Sequence, residues 1–268
     1  MRGVLRLAEL IYRGINRARR ALYRAGILKS KRLPVPVISV GGIAAGGSGK
    51  TPAVIAIARA LSNRGLRVAI LTRGYGRAGS GGVVTSLDPD RFGDEPVLIK
   101  KSLPGVNVIV GENRYGNAIR NAADVFVLDD GFQHLQLHRD FDVVIDHDLG
   151  FLREGRGALR HADLVLPRKL QARIPDSLRG KRVFAFAGLA DNAQFFQLFD
   201  LAGSRGFPDH HRYTKSDIDA IKREANGNPI VTTEKDAVKI DDPEVIAIPA
   251  EFVIDPTDLE RIVAAARR

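Results

Sequence analysis

The run Ser39-Val-Gly-Gly-Ile-Ala-Ala-Gly-Gly-Ser-Gly-Lys-Thr-Pro52 carries the residue types from which a phosphate cradle is made. Gly46, Gly47 and Gly49 let successive backbone N–H groups turn inward around an anion, and a helix N-terminus just beyond them adds its positive dipole. Lys50 supplies a mobile cation for β- and γ-phosphates, and Thr51 a hydroxyl for Mg²⁺. The nucleotide-binding stretch is thus Ala44, Ala45, Gly46, Gly47, Ser48, Gly49, Lys50, Thr51 and Pro52. The strict P-loop pattern has a glycine where Ala44 stands, and the three later glycines compensate. The alternative is a glycine-rich strand-to-helix turn with a surface lysine.

Further chemistry-bearing residues follow in order. Asp124-Val-Phe-Val-Leu-Asp-Asp130 has four apolar residues ending in acids, a buried parallel strand that delivers Asp129 and Asp130 to its C-terminal end. In P-loop proteins such a strand holds the Mg²⁺ shell. Arg73-Gly-Tyr-Gly-Arg77 precedes a glycine-serine stretch, so Arg73 and Tyr75 either close over a ligand or belong to a plain connector. Gly93-Asp94-Glu95-Pro96 sets acids at a helix start, where capping alone would favour them. Arg114, in Glu112-Asn-Arg-Tyr-Gly116, could reach a phosphate. His134 and His138 are four apart without the intervening glutamate of a zinc helix, which argues against zinc. Phe207-Pro-Asp-His-His-Arg-Tyr213 clusters a carboxylate, two imidazoles and an arginine on a loop.

The elements that must position these residues read as α/β. Apolar runs predict strands at 35–40, 66–72, 106–110, 124–128 and 142–146, with a helix over 53–61. Strands at 163–167 and 182–187 read as part of a second, smaller α/β lobe; another follows at 230–233, a helix starts at Glu234, and 259–266 closes the chain as a helix. The division expected is an amphipathic helix (1–30), a P-loop nucleotide-binding core (31–147) with a mostly parallel sheet flanked by helices, and a C-terminal lobe (148–268) whose last helix could pack back on the core. The chain has 268 residues and no cysteine, which excludes disulfides and thiolate metal sites.

The net charge of +10 is concentrated at the start. Residues 1–32 hold ten Arg and Lys against the single acid Glu9. A 100° step along 4–25 puts Val4, Leu7, Ala8, Ile11, Ile15, Ala18 and Leu22 on one face, with Arg6, Arg13, Arg17, Arg20 and Arg24 opposite and Leu5, Tyr12 and Tyr23 at the boundary. Residues 1–24 therefore read as a helix lying on an anionic membrane surface, arginines toward phosphates. An ordinary helix docked by its apolar face on the protein's own core is the alternative. Arginines interrupt any apolar core, excluding a signal peptide, and no run is long enough to span a bilayer. No nucleic-acid module accompanies the basic arm, so no nucleic-acid partner is expected.

Taken together, the glycine loop, Arg-Gly-Tyr-Gly-Arg (73–77), Gly-Asp-Glu-Pro (93–96), Glu-Asn-Arg-Tyr-Gly (112–116), Leu-Asp-Asp-Gly-Phe-Gln-His (128–134), Phe-Pro-Asp-His-His (207–211) and Thr-Thr-Glu-Lys-Asp (232–236) resemble the tetraacyldisaccharide 4'-kinase family. That family phosphorylates a lipid A precursor at the inner membrane of Gram-negative bacteria. The resemblance implies ATP and Mg²⁺ as cofactors, a membrane-embedded disaccharide lipid as acceptor, a monomer, and a peripheral position on the cytoplasmic face. It implies Asp94 as base with His210 beside it, Lys50 and Arg114 on phosphate charge, and Thr51, Glu95 and Asp129 or Asp130 on Mg²⁺. It further implies Gln133, Tyr75 and Arg73 near substrate. The family has a longer segment where this chain has only Phe151 to Gly157, so Arg153 and Glu154 receive no role. Two other classes remain open at this point: a membrane-attached P-loop ATPase switch, and a shortened relative without kinase activity.

Overall fold

The computed structural model describes residues 2–44, 49–147 and 151–268, with the side chains of the first helix described from Leu10 onward. That helix, α1 (Arg2–Arg24), leads into β1 (Val37–Gly42), which is buried along its whole length. Then come α2 (Lys50–Ser62), β2 (Val68–Thr72), the short β3 (Gly82–Val83), α3 (Pro89–Phe92), α4 (Asp94–Ser102), β4 (Asn107–Val110), α5 (Arg114–Ala118), β5 (Val125–Asp129), β6 (Phe141–Asp146) and β7 (Leu164–Pro167). Among the described residues these strands form one seven-stranded sheet in the order β3-β4-β2-β5-β1-β6-β7. Pairing is parallel apart from the antiparallel edge pair of β3 with β4.

The central strands read as continuous apolar runs because both faces are covered, as parallel sheets require. One face packs Ala53, Val54, Ile57 and Leu61 of α2 on Ile38, Val40, Ile70 and Val127. The other packs Leu33, Leu71, Phe126, Leu128 and Leu137 together.

The chain leaves through β8 (Leu170–Ala172) into a second parallel sheet, built from β9 (Val183–Ala187), α6 (Ala193–Phe196), β10 (Leu201–Gly206), α7 (Lys215–Ala225), β11 (Ile230–Thr233), α8 (Glu234–Ala237) and β12 (Val245–Ile248). Its strand order is β10-β9-β11-β12. A capping box starts α7: the Thr214 hydroxyl accepts from the Asp217 amide, and the Asp217 carboxylate accepts from the Thr214 amide at 2.9 Å. The return strand β13 (Ala250–Phe252) pairs antiparallel with β8, so the two lobes are joined by a two-stranded strap. Finally α9 (Pro256–Ala266) lays Ile262, Val263, Ala265 and Ala266 into the first core.

Two expectations change here. Strand 163–167 was expected in the second lobe, yet β7 extends the first sheet, pairing Val143↔Leu164 through Asp146↔Pro167 with β6. The boundary expected at 147/148 therefore falls inside that sheet. The expected α1 exposes its apolar face, and its docking is the reverse of an ordinary amphipathic helix: Asn16 and Arg20 are buried while Ile11 and Ile15 are 56% and 53% exposed. Ile11, Ile15, Ala18 and Leu22 lie opposite Arg13, Asn16 and Arg20 around the helix. Thus, over the described side chains from Leu10 onward, the helix meets the protein by its polar side and not by its apolar face.

Candidate active site

The site forms where β1, β2 and β5 end. Register pairs Val40 of β1 with Asp129 of β5, so the acidic strand terminates beside the point where β1 enters the glycine loop. Of that loop, Ala45, Gly46, Gly47 and Ser48 lie outside the described residues. Ala44 bridges to Leu152, and Gly49 turns the chain with φ 76° into the left-handed region to start α2 at Lys50. Thr51 and Pro52 follow in the first turn, whose backbone N–H groups have no acceptor within the helix; proline costs no hydrogen bond there.

Lys50 Nζ lies 3.6 Å from Asp130 Oδ1, and Arg153 Nη1 donates to Asp130 Oδ2 at 2.5 Å. Asp130 reaches both by leaving strand geometry, at φ 50°. Burial alone would raise its carboxyl, but Lys50 and Arg153 hold it below the ordinary carboxylate range. Asp129 is the opposite case. It is buried, receives the Thr72 hydroxyl at 2.8 Å, and is pushed up to about 7 by burial first and then by the charges of Glu95 and Asp130.

Arg114 faces the same acids from α5. It is buried, Nη1 donates to the Glu112 carbonyl at 3.0 Å, and its Nε has no hydrogen-bond partner among the described residues. Burial and the neighbouring Arg73 lower its pKa, while Asp129, Asp130 and Glu112 oppose that. Arg73 itself is exposed and paired with Glu112 at 3.3 Å.

These oxygens suit a small hard cation. Thr51, Glu95, Asp129 and Asp130 are all oxygen donors, and a divalent ion would relieve the repulsion that Glu95 and Asp130 exert on buried Asp129. Among the described residues no three acids or histidines make a ready cage. Mg²⁺ takes one or two carboxylates and completes its shell with water and phosphate, which the oxygen donors here would suit.

A second cluster spans the lobes. Asp94 is the first residue of α4, and its Oδ2 lies 3.2 Å from His210 Nδ1 and 3.6 Å from Lys239 Nζ. Lys235 Nζ approaches His210 Nε2 at 3.3 Å and donates to Asp209 at 2.7 Å. An ammonium offers only donors, so Nε2 accepts, and the ring proton sits on Nδ1 directed at Asp94. Burial would raise Asp94, but the hydrogen bond from His210 and the charge of Lys239 bring it below its ordinary value. Lys239 is anchored by Asp236 at 2.9 Å, and Asp236 is fully buried with the Gly188 amide and the Thr233 hydroxyl as donors. Tyr75, exposed on its loop, leans on His210 with ring centroids 5.7 Å apart. Gly93 is at φ 95°, and a Cβ there would lie 2.9 Å from the Tyr75 carbonyl, so the 73–77 loop and the start of α4 fit together only through that glycine.

The family model described as "LpxK: Tetraacyldisaccharide-1-P 4'-kinase" matches residues 1–179 and 156–268. The chain belongs to the tetraacyldisaccharide-1-P 4'-kinase (LpxK) family. A tetraacyldisaccharide 4'-kinase of Anaeromyxobacter dehalogenans (strain 2CP-C) is 40% identical over 306 aligned residues, covering 88% of this chain and 81% of the relative. Another, of Anaeromyxobacter sp. (strain Fw109-5), is 40% identical over 336 residues, covering 98% and 91%. The "apo" form of LpxK from Aquifex aeolicus, solved in complex with ATP, superposes with a TM-score of 0.81 at 31% identity, covering 100% of this chain and 99% of that one. The aligned lengths exceed the 268 residues here, so those two Anaeromyxobacter relatives carry segments this chain lacks. As an LpxK-family kinase, the chain phosphorylates the 4' position of a tetraacyldisaccharide 1-phosphate in lipid A biosynthesis.

In this kinase, the Gln133 amide nitrogen donates to the Gly42 carbonyl and to Glu154 Oε1, both at 3.0 Å, while its Oε1 has no hydrogen-bond partner among the described residues. Sequence reasoning passed over Arg153 and Glu154, which hold Asp130 and Gln133, and also Thr72, Lys235 and Lys239. For Lys235 the signal was the Thr-Thr-Glu-Lys-Asp run (232–236), which contains it; Lys239 lies just past that run and carried none.

Proposed function

We propose that this chain runs the 4'-kinase reaction with ATP seated at the start of α2 and the acceptor hydroxyl brought to Asp94. Lys50 neutralises charge on the β- and γ-phosphates, and Arg114 meets charge that develops on the transferred group. Asp94 takes the 4'-hydroxyl proton as the sugar oxygen bonds to the γ-phosphorus and the bond to the β-phosphate oxygen breaks, leaving ADP. His210 orients Asp94, and Lys235 fixes the tautomer. Mg²⁺, held by Thr51 and the Asp129–Asp130 pair with Glu95 nearby, would supply charge neutralisation across the two phosphates. The observation that carries this reading is the Asp94–His210 contact beside the acids: Glu95, next to Asp94 on α4, acts electrostatically on Asp129.

The membrane position is part of the same proposal. No described helix is long and apolar enough to cross a bilayer. The exposed stripe Leu10, Ile11, Ile15 and Leu22 supports a helix lying on the inner-membrane surface at its cytoplasmic face. Beside it a cavity of about 480 Å³ is lined by Arg13, Arg17, Arg20, Arg24 and Arg160, with Glu154 the one acid among its described lining residues, a suitable setting for a lipid phosphate.

Asp94→Asn tests the base assignment. With labelled ATP and the disaccharide lipid, transfer should fall by about a hundredfold to ten-thousandfold while nucleotide affinity is retained. Near-normal turnover of that variant rules Asp94 out as base.

A further inference from the structure

The side of α1 that faces the protein makes directed polar contacts rather than apolar ones. Asn16 Nδ2 donates to the Arg153 carbonyl at 2.9 Å. Arg20 forks onto Glu154, Nη2 to Oε1 at 2.8 Å and Nε to Oε2 at 3.1 Å. It also donates to the Phe132 carbonyl at 3.2 Å, and its guanidinium lies 4.4 Å from the Phe132 ring centroid. Both members of the pair are almost wholly buried. The neighbouring residue Arg153 points the other way, onto Asp130, whose second oxygen faces Lys50. Two adjacent residues are therefore gripped by α1, and one of them, Arg153, grips the carboxylate beside Lys50.

We propose that Asn16 and Arg20 are positioning residues for phosphoryl transfer: they hold Arg153 and Glu154 so that Arg153 keeps Asp130 aligned with Lys50, tying the docking of α1 to catalytic competence. The proposal rests on reading Lys50 and Asp130 as the phosphate seat.

A buried ion pair is a poor way to dock a helix, because desolvation offsets most of its attraction and an apolar pair would hold as well. What the fork adds is direction. A bidentate guanidinium–carboxylate contact fixes the plane of Glu154, and Gln133 bonds the same carboxylate at 3.0 Å. The Asn16 contact fixes the carbonyl of the residue whose long side chain must reach Asp130. The opposite face of α1 is the exposed apolar stripe, so a shift of the helix on a surface reaches Asp130 through two side chains.

The test uses the full chain with the lipid acceptor in detergent micelles. Arg20→Gln, Arg20→Lys and Asn16→Ala are made alone and in an Arg153→Ala background, with kcat, both KM values and Tm measured. Arg20→Gln should lower kcat about tenfold or more while the lipid KM changes little. Arg20→Lys should recover only part of the loss, since an ammonium cannot fork. In the Arg153→Ala background Arg20→Gln should add almost nothing. Asn16→Ala leaves no buried charge unpaired and should give the same pattern, about threefold, even where Arg20→Gln fails to fold. Falling Tm with unchanged kcat in both Arg20→Gln and Asn16→Ala, or losses that simply add to that of Arg153→Ala, overturns the proposal. Lys50→Ala and Arg153→Ala alone separate the two ideas. If neither lowers kcat, the phosphate-seat reading fails and the positioning proposal falls with it. If both do while the α1 variants do not, the positioning proposal alone is wrong.

Discussion

Asp94 and Asp129 are carboxylates under opposite pressures. Asp94 is held ionised by His210 and Lys239, so it is ready to accept a proton at neutral pH. Asp129, pushed up to about 7 mainly by burial, gives up its proton only near neutrality. Metal binding needs it deprotonated, so turnover at limiting Mg²⁺ should rise as pH increases through about 7. Raising Mg²⁺ should move that limb to lower pH, which a pH–rate series at two Mg²⁺ concentrations will reveal. The linkage has the opposite sign for stability. A raised acid contributes most below its unfolded pKa and loses that contribution as pH rises through the folded one. Asp129→Asn should therefore raise the Tm of the metal-free protein at pH 8, relative to the parent, while turnover collapses. At this scale Lys50, Asp129 and Asp130 were legible because their motif is contiguous. Lys239 was not, because nothing near it in sequence tells that its ammonium reaches Asp94.

At the scale of elements, the start of α4 decides where Asp94 and Glu95 point. Gly93 sits at φ 95° against the Tyr75 carbonyl, a conformation and a clearance that a side chain would lose. Gly93→Ala should cost about 1–3 kcal/mol in urea unfolding and lower kcat with it, since both acids move with the turn. The strand-loop-helix unit, β5 and α4 could be read locally, from apolar runs and helix-start residues. Strand β7 could not: a four-residue apolar run gives no clue to which sheet it will join, and it joins β6.

For the whole molecule, two sheets joined by the β8–β13 strap bring α4 of one against the 207–211 loop of the other, and α1 lies across the end of the first with its apolar stripe outward. Replacing Ile11, Ile15 and Leu22 together by Ser should weaken partitioning onto anionic vesicles with little change in Tm, because those side chains are already exposed. Deleting residues 1–24 should weaken partitioning and also lower Tm, because it strips Arg20 from buried Glu154. Measured side by side, the two variants separate surface binding from docking. The sequence by itself determined the phosphate loop, the acidic strand and the two-faced character of α1, because each rests on neighbours along the chain and on helix or strand periodicity. Only the tertiary structure decided which face of α1 meets the protein, that Arg153 and Glu154 link it to Asp130, and how lysines of the second lobe reach a carboxylate of the first. The Asp94–His210 and Arg20–Glu154 contacts join residues more than a hundred positions apart, and such distances close only when whole sheets pack.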